Sequence, residues 1–374
     1  MSILFQPITI HGMPLRNRFV RSATHEASCN EQGEITDDMI RLYSRLALGS
    51  IGLIITGFAY VHRSGQAFLR QTAIDRDDII PGLKKLADCV HEYDAKIAIQ
   101  LVHCGKNSWV VRERGEVPLA PSWLENNPAL THRAMTEAEI EDMIDAFGRA
   151  AMRAREAGFD AIQLHAGHSY LFSQFLSPLS NQRTDRWGGN LENRLRFHMG
   201  VVRSIRQSVG QDYPLLIKLG VRDGSENGLT LEEGCTVARR LSASGVDAIE
   251  VSEGLEKTRA NHIRKNVKLR DGEAYYAEWA REVKKVVNVP VILVGGMRSF
   301  DIMERLVQEN YTDAISMCRP FIREPGIVHR WQTEDLGPAK CISCNLCLER
   351  VRGGQPVECV QEMKLSQAKA ESPG

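Results

Sequence analysis

The chain has 374 residues, 43% hydrophobic and 25% charged, and its 47 lysines and arginines balance 47 aspartates and glutamates to a formal net charge of +0. That composition supports one large globular domain or two ordinary ones and excludes a fibre, a disordered chain and a secreted mini-domain. No basic excess advertises a nucleic-acid or membrane surface, and no apolar run nears the roughly 18 residues of a membrane span.

The opening MSILFQPITIHGMPLRNR lacks the basic, apolar, small-residue order of a signal peptide, so a cytoplasmic chain is expected. Within it, PITIHGMP reads as a small hairpin. Aliphatic runs then alternate with amphipathic stretches. Candidate strands are Asn17–Ser22, Gly52–Gly57, Lys96–Leu101, Asp160–His165, Pro214–Leu219, Val246–Val251, Pro290–Val294 and Asp313–Met317. Runs such as PLLIKL and PVILV suit parallel strands covered on both faces. Between them, Thr136 with Glu139 and Thr230 with Glu233 predict capping boxes at two helix starts. Ile140, Met143, Ile144, Phe147 and Ala151 form one helical face, and Gly158 is the stop.

Eight such units fit a closed (β/α)8 TIM barrel, which typically takes roughly 250 residues. No strand leads into a G-x-G-x-x-G turn, which disfavours a dinucleotide-binding doubly wound fold. The extra length falls in the hairpin, in a long loop at His103–Met135 and in an extension at Gly337–Gly374 that ends in a frayed SQAKAESPG. The expected organisation is a barrel over residues 1–336 and an extension over 337–374.

In a barrel the chemistry belongs at the carboxyl ends of the strands. Those ends carry Ser22-Ala23-Thr24-His25, Thr56-Gly57, Gln100 with His103, His165 to Tyr170, Lys218, Gly295-Gly296 and Cys318-Arg319. Loops after strands seven and eight are the usual phosphate site of this fold, so Gly295-Gly296 would admit a ligand closely and Arg319 would fork onto its phosphate. The alternative is a tight turn and a surface ion pair. His165 and His168 with Tyr170 could polarise a carbonyl and deliver a proton, or simply satisfy hydrogen bonds in the core. His103 would support the substrate rim or pack against it. Trp109 and Trp123 would roof a pocket or fill loop packing.

Nine cysteines make no disulfide scaffold in so long a chain. Cys341, Cys344, Cys347 and Cys359 cluster as C-x2-C-x2-C-x11-C. Such a set suits an iron–sulfur cluster or zinc, with reduced free thiols as the other reading.

The stretch HAGHSYLFSQFLSPLSNQRTDRWGGNLENRLRF (His165–Phe197) resembles the signature of the old yellow enzyme family of flavin-dependent ene-reductases. The resemblance runs from residue 5 to about 360, through PLRNRFVRSATHE, GLIITGFAYVHRSGQ, IQLVHCGKNS, PVILVGGMRS and DAISMCRPFIREP. It extends to the barrel of 2,4-dienoyl-CoA reductase and its NADH:flavin oxidoreductase relatives. It implies FMN across the barrel mouth, contacted by Ala23 and His25, with Gln100 on the pyrimidine edge of the ring and Lys218 near N1 and O2, where relatives carry arginine. Gly296, Cys318 and Arg319 would hold the phosphate. His165 and His168 would grip a substrate carbonyl, and Tyr170 would donate the proton. Arg183, Asp185, Arg186, Asn193 and Arg194 would be structural.

The implied activity is NAD(P)H-dependent reduction of α,β-unsaturated carbonyl compounds, with no nucleic-acid or membrane partner and with a homo-oligomer as one arrangement such barrels adopt. Relatives of the 2,4-dienoyl-CoA reductase type hold a [4Fe–4S] cluster on C-x2-C-x3-C-x11-C, one residue longer in the middle, followed by Asn-Pro where this chain has Val360-Gln361. Their FAD and nicotinamide domains lie beyond the equivalent of Gly374. The rival to the ene-reductase is an electron-transfer subunit whose cluster feeds the flavin from a partner flavoprotein.

Overall fold

The computed structural model describes residues 2–123, 131–255, 263–267, 270–333 and 335–371. At the start, β1 (Ile8–Ile10) and β2 (Met13–Leu15) pair antiparallel around His11-Gly12. Both turn residues take positive φ, 45° and 79°, as a two-residue turn matched to strand twist requires. The predicted hairpin is therefore present. Its apolar side chains plug the amino-terminal end of a barrel.

All eight predicted barrel strands form, with ends shifted by at most three residues. They are β3 (Phe19–Arg21), β4 (Leu53–Tyr60), β5 (Lys96–Val102), β8 (Ala161–Ala166), β9 (Leu215–Gly220), β10 (Ala248–Ser252), β11 (Val291–Val294) and β12 (Ala314–Met317). They pair in parallel, β12 returns to β3, and the sheet closes into a (β/α)8 barrel. The long loop adds two short strands, β6 (Leu119–Ala120) and β7 (Arg133–Ala134), which pair with each other.

Why every strand reads as a continuous aliphatic run follows from its two buried faces. Outward residues such as Ile54, Ile97, Ile162, Leu164, Ile217 and Val251 pack under the helices. Inward residues Val20, Ile55, Ala98, Ala161, Leu216, Ala248, Ile292 and Ala314 fill the barrel together with Ile10, Met13 and Leu15 of the hairpin. Side chains alternate along a strand, so each step of two stays inside. Stepping from Val20, Ala98, Ala161, Leu216, Ala248 and Ala314 reaches Ser22, Gln100, Gln163, Lys218, Glu250 and Ser316, all buried. A polar layer thus lies directly on the apolar filling.

Both capping boxes are made, at Thr136 for the helix Glu137–Glu156 and at Thr230 for Leu231–Ala243. Ile140, Met143, Phe147 and Ala151 are buried on the first helix, and Gly158 ends it at φ 83°. Arg183 pairs with Asp185 and reaches the carbonyls of Pro121 and Met135, which pins the segment after β8.

The extension lies against the carboxyl ends of the strands. Ala339 N–H donates to Arg298 O (2.9 Å), Asn266 N–H to Ser343 O (2.9 Å) and Val357 N–H to Glu26 O (2.7 Å). Its helices Leu346–Arg352 and Val360–Glu371 are joined through Gly354, at φ 73°. The expected fraying of SQAKAESPG needs correction over its first residues, because Ser366–Glu371 are helical. Gln, Ala, Lys and Glu are good helix formers and extend the turn begun at Val360. Residues 372–374 fall outside the described set. Among the described residues no helix is long and apolar enough to cross a membrane.

Candidate active site

The strand ends and the extension enclose a cavity of about 1140 Å3. Ordinary small-molecule sites span roughly 300–1000 Å3, so this one has room for a large group and a second ligand. Ala23, His25, Gln100, His165, His168, Tyr170, Lys218, Gly296, Cys318 and Arg319 all line it. Residues spread over almost 300 positions of sequence meet because each closes the same end of a parallel strand.

One wall carries the imidazole pair. The His165 ring centroid lies 5.0 Å from those of His168 and Tyr170, with near-perpendicular planes (86° and 85°). Gly167 N–H points at His165 Nδ1 (3.4 Å), which leaves Nε2 as the protonated nitrogen. His168 Nε2 and Ser252 Oγ share a hydrogen bond of 2.9 Å. His168 and Ser169 both take positive φ (54° and 61°), and Glu253 O and Gly254 O hold their N–H groups at 3.0 Å. Two consecutive non-glycine residues in that conformation are strained, and the neighbouring loop over-determines them. Phe58 packs at an angle against Tyr170 (5.6 Å) and His165 (6.0 Å), which keeps this wall apolar between its polar tips.

On the other side of Phe58, His25 sits between Phe58 (5.2 Å) and Phe68 (4.8 Å). Burial pushes its pKa down to about 4, so it is neutral at pH 7. Its Nε2 is buried without a partner among the described residues, and so is Oε1 of Gln100. Buried polar atoms are normally hydrogen-bonded, so two orphans on one cavity wall mark where a polar ligand edge is expected. In the same cavity wall Lys218 Nζ donates to Ser22 Oγ (2.7 Å) and lies 3.3 Å from Glu250 Oε1. A buried cation flanked by acceptor and donor positions suits the pyrimidine end of a flavin.

At the other end, Gly295 and Gly296 take φ 132° and 75°. A Cβ on either would stand 3.0 Å from the Tyr275 ring. The close approach these glycines allow is therefore to Tyr275, which Arg264 covers from 4.2 Å. Arg319 donates to Arg264 O (2.7 Å) and Asn345 Oδ1 (2.6 Å), so it ties barrel to extension rather than forming a surface ion pair. Thr24 Oγ1 donates to Cys318 Sγ at 2.9 Å.

His103 is fully buried, bonded to Ser64 Oγ (3.0 Å) and Gly105 N–H (3.0 Å), and does not line the cavity. Trp109 does line it, whereas Trp123 is exposed. Sequence reasoning missed Gln163, Glu250, Ser316 and Tyr275. The first three carry an available signal: they share the inward parity of the strand-end residues, two positions earlier than the end.

The four clustered cysteines line a second, small cavity of about 20 Å3. It shares Arg319, Ile322, Cys341 and Cys347 with the large one. Burial, then the nearby Cys318, Cys341 and Cys344 thiols, push Cys347 up to about 12. Gln361 Nε2, after the last cysteine, lies 3.9 Å from Cys344 Sγ. Among the described residues no three His, Cys, Asp or Glu side chains are drawn close enough to hold a metal ion.

A closed parallel barrel whose mouth gathers an imidazole pair, a phenol, a floor cation, an orphaned amide oxygen and an orphaned imidazole nitrogen is a barrel of the old yellow enzyme type. The chain belongs to the NADH:flavin oxidoreductase / NADH oxidase family, whose profile it matches over residues 3–335. It is 36% identical to a metal reductase of Desulforamulus reducens, over 100% of this chain and 56% of that protein. It is 35% identical to an NADPH dehydrogenase of Geobacillus sp. (strain WCH70), over 87% of this chain and 92% of the relative. The solved 2-naphthoyl-CoA reductase complex with 2-naphthoyl-CoA superposes with a TM-score of 0.88 at 28% identity, over 96% of this chain and 56% of the other. The chain thus spans about half the length of several relatives it matches.

Proposed function

We propose that this barrel binds FMN in its mouth and reduces α,β-unsaturated carbonyl compounds at the expense of NAD(P)H. The observation that carries this reading is the convergence of His165, His168 and Tyr170 on the cavity that also holds the unpartnered Gln100 Oε1 and His25 Nε2. FMN would supply two-electron hydride exchange, which no protein side chain offers. Gln100 and His25 would meet its polar edge, Lys218 would set a positive charge beside the pyrimidine end, and Gly296, Cys318 and Arg319 would face its phosphate. His165 and His168 would hold the substrate carbonyl oxygen, and the Tyr170 phenol would deliver a proton to the α-carbon. The test is an anaerobic preparation: stoichiometric FMN, bleached by NAD(P)H and restored by cyclohexenone, supports the reading. Bleaching without any turnover of enones sinks it.

A second reading rests on the thiols. Cys341, Cys344, Cys347 and Cys359 line one small cavity separated from the large one only by shared wall residues. A [4Fe–4S] cluster, or zinc, held there would need the four thiols to converge more closely than they do. With iron–sulfur the barrel would serve as an electron-transfer unit fed by a partner flavoprotein. Iron and sulfide analysis of the same preparation separates the two metals. All nine cysteines are free, which fits a reducing, cytoplasmic setting.

A further inference from the structure

Glu250 is fully buried near the centre of the barrel, beneath the cavity rather than on its wall. Its Oε1 accepts from Ser22 Oγ (2.7 Å) and Ser316 Oγ (2.8 Å) and lies 3.3 Å from Lys218 Nζ. Its Oε2 accepts from Gln163 Nε2 (2.8 Å), and Gln163 Oε1 accepts from Gln100 Nε2 (2.7 Å). An ionised carboxylate only accepts. Gln163 must therefore turn its amide N–H toward Glu250 and its carbonyl toward Gln100. Gln100 must in turn spend its N–H there, which leaves Oε1, the atom without a partner, for the cavity. One carboxylate thus dictates the direction of two amides and stands opposite Lys218, the cation of this layer.

We infer that Glu250 is a positioning residue that sets the polarity of the flavin floor: it makes Gln100 an acceptor, and it offsets the Lys218 charge so that the flavin's reduction potential is held down. The inference rests on the FMN reading above. Reduction adds electron density at the pyrimidine end of the ring, which a nearby cation stabilises. A carboxylate within 3.3 Å of that cation works against it, and little water intervenes to screen either charge.

The experiment equilibrates FMN-loaded protein with a reference dye and reads the flavin's reduction. Glu250→Gln keeps the size and an acceptor oxygen but removes the charge. Its equilibrium should move at least tenfold toward reduced flavin, about 30 mV for a two-electron couple. Ser316→Ala, which removes one donor and no charge, should move it less than twofold, whereas a purely structural disturbance of this layer would move both variants alike. Lys218→Met should shift it at least tenfold the other way. The double variant Lys218→Met/Glu250→Gln leaves no uncompensated buried charge and should return to within threefold of wild type. The double variant also decides the matter where Glu250→Gln fails to fold. A Glu250→Gln equilibrium within twofold of wild type, or a double variant that tracks Lys218→Met, overturns the inference while FMN binding stands. A wild-type chain that takes up no FMN sinks the earlier reading, and this one with it.

Discussion

The polar floor of the barrel and the cysteine extension both gather reactive groups from distant positions, but they satisfy them in opposite ways. In the floor, Ser22, Gln163, Lys218, Glu250 and Ser316 answer one another with hydrogen bonds of 2.7–2.8 Å and one ion pair, and they stand on a close-packed aliphatic layer. In the extension the thiols are answered weakly, Cys344 Sγ by Gln361 Nε2 at 3.9 Å. Burial pushes Cys341 upward and Cys347 to about 12, so they stand as neutral thiols. Apart from Gln100 Oε1, the floor satisfies its own polar groups, whereas the extension reaches its full set of bonds only if something brings its thiolates together. Rigid strands can pre-build a site at low entropic cost. A short helical tail cannot.

The sharpest way to break this contrast is Cys344→Ser with Cys347→Ser. If the thiols hold a metal, the variant should lose stoichiometric iron or zinc and its tail should become sensitive to protease, while FMN stays in the barrel. Wild-type protein purified without air that contains neither metal would show the extension to be a plain strap. Next is Arg319→Ala, at a residue that helps join the two regions through Asn345. If Arg319 also meets the FMN phosphate, as proposed, losing that charge-assisted contact should weaken FMN binding roughly ten- to a hundredfold, about 1.5–3 kcal/mol. Unchanged affinity by titration of the apoprotein would assign Arg319 to the extension alone.

Tyr170→Phe probes the wall above the floor. Re-oxidation by an enone should slow by about tenfold or more, whereas reduction by NAD(P)H and re-oxidation by a quinone should change little. Equal losses in both half-reactions, measured by stopped flow, would make the phenol a shaping group. A further test concerns acid. Burial lowers the pKa of His25 to about 4 and those of His103 and His198 to about 3, from an ordinary 6.5. The unfolded chain therefore binds these protons first, so stability is lost as pH falls below about 6.5 and continues to fall toward about 3. Denaturation midpoints that stay flat across that window would show the three imidazoles protonated in the folded state.

Much of the site was legible because strand ends are readable. Where PLLIKLG or AIQLHA turns from aliphatic to polar, the barrel mouth begins, and Lys218 and His165 follow directly. Glu250 was not singled out, although DAIEVS shows it plainly. A lone acid inside an apolar run carries no sign of its partners, and Lys218 lies on a neighbouring strand. Tyr275 escaped for the same reason, since its place over Gly295-Gly296 depends on the turn of a loop across the barrel mouth. The extension misled in the other direction: polar composition suggested fraying, whereas helix-forming residues continue the helix from Val360 to Glu371.

By itself the sequence determined the order of eight strands, the hairpin, the capping boxes and the residues that arrive at the mouth, because these are consequences of local periodicity and of side chains alternating along a strand. Only the tertiary structure decided which of those residues answer one another: that Glu250 faces Lys218, that Arg319 reaches Asn345, and that four thiols share a cavity wall with the barrel. Closure of the sheet sets these pairings. The shear between strands, and not distance along the chain, determines which inward side chains come within hydrogen-bonding reach.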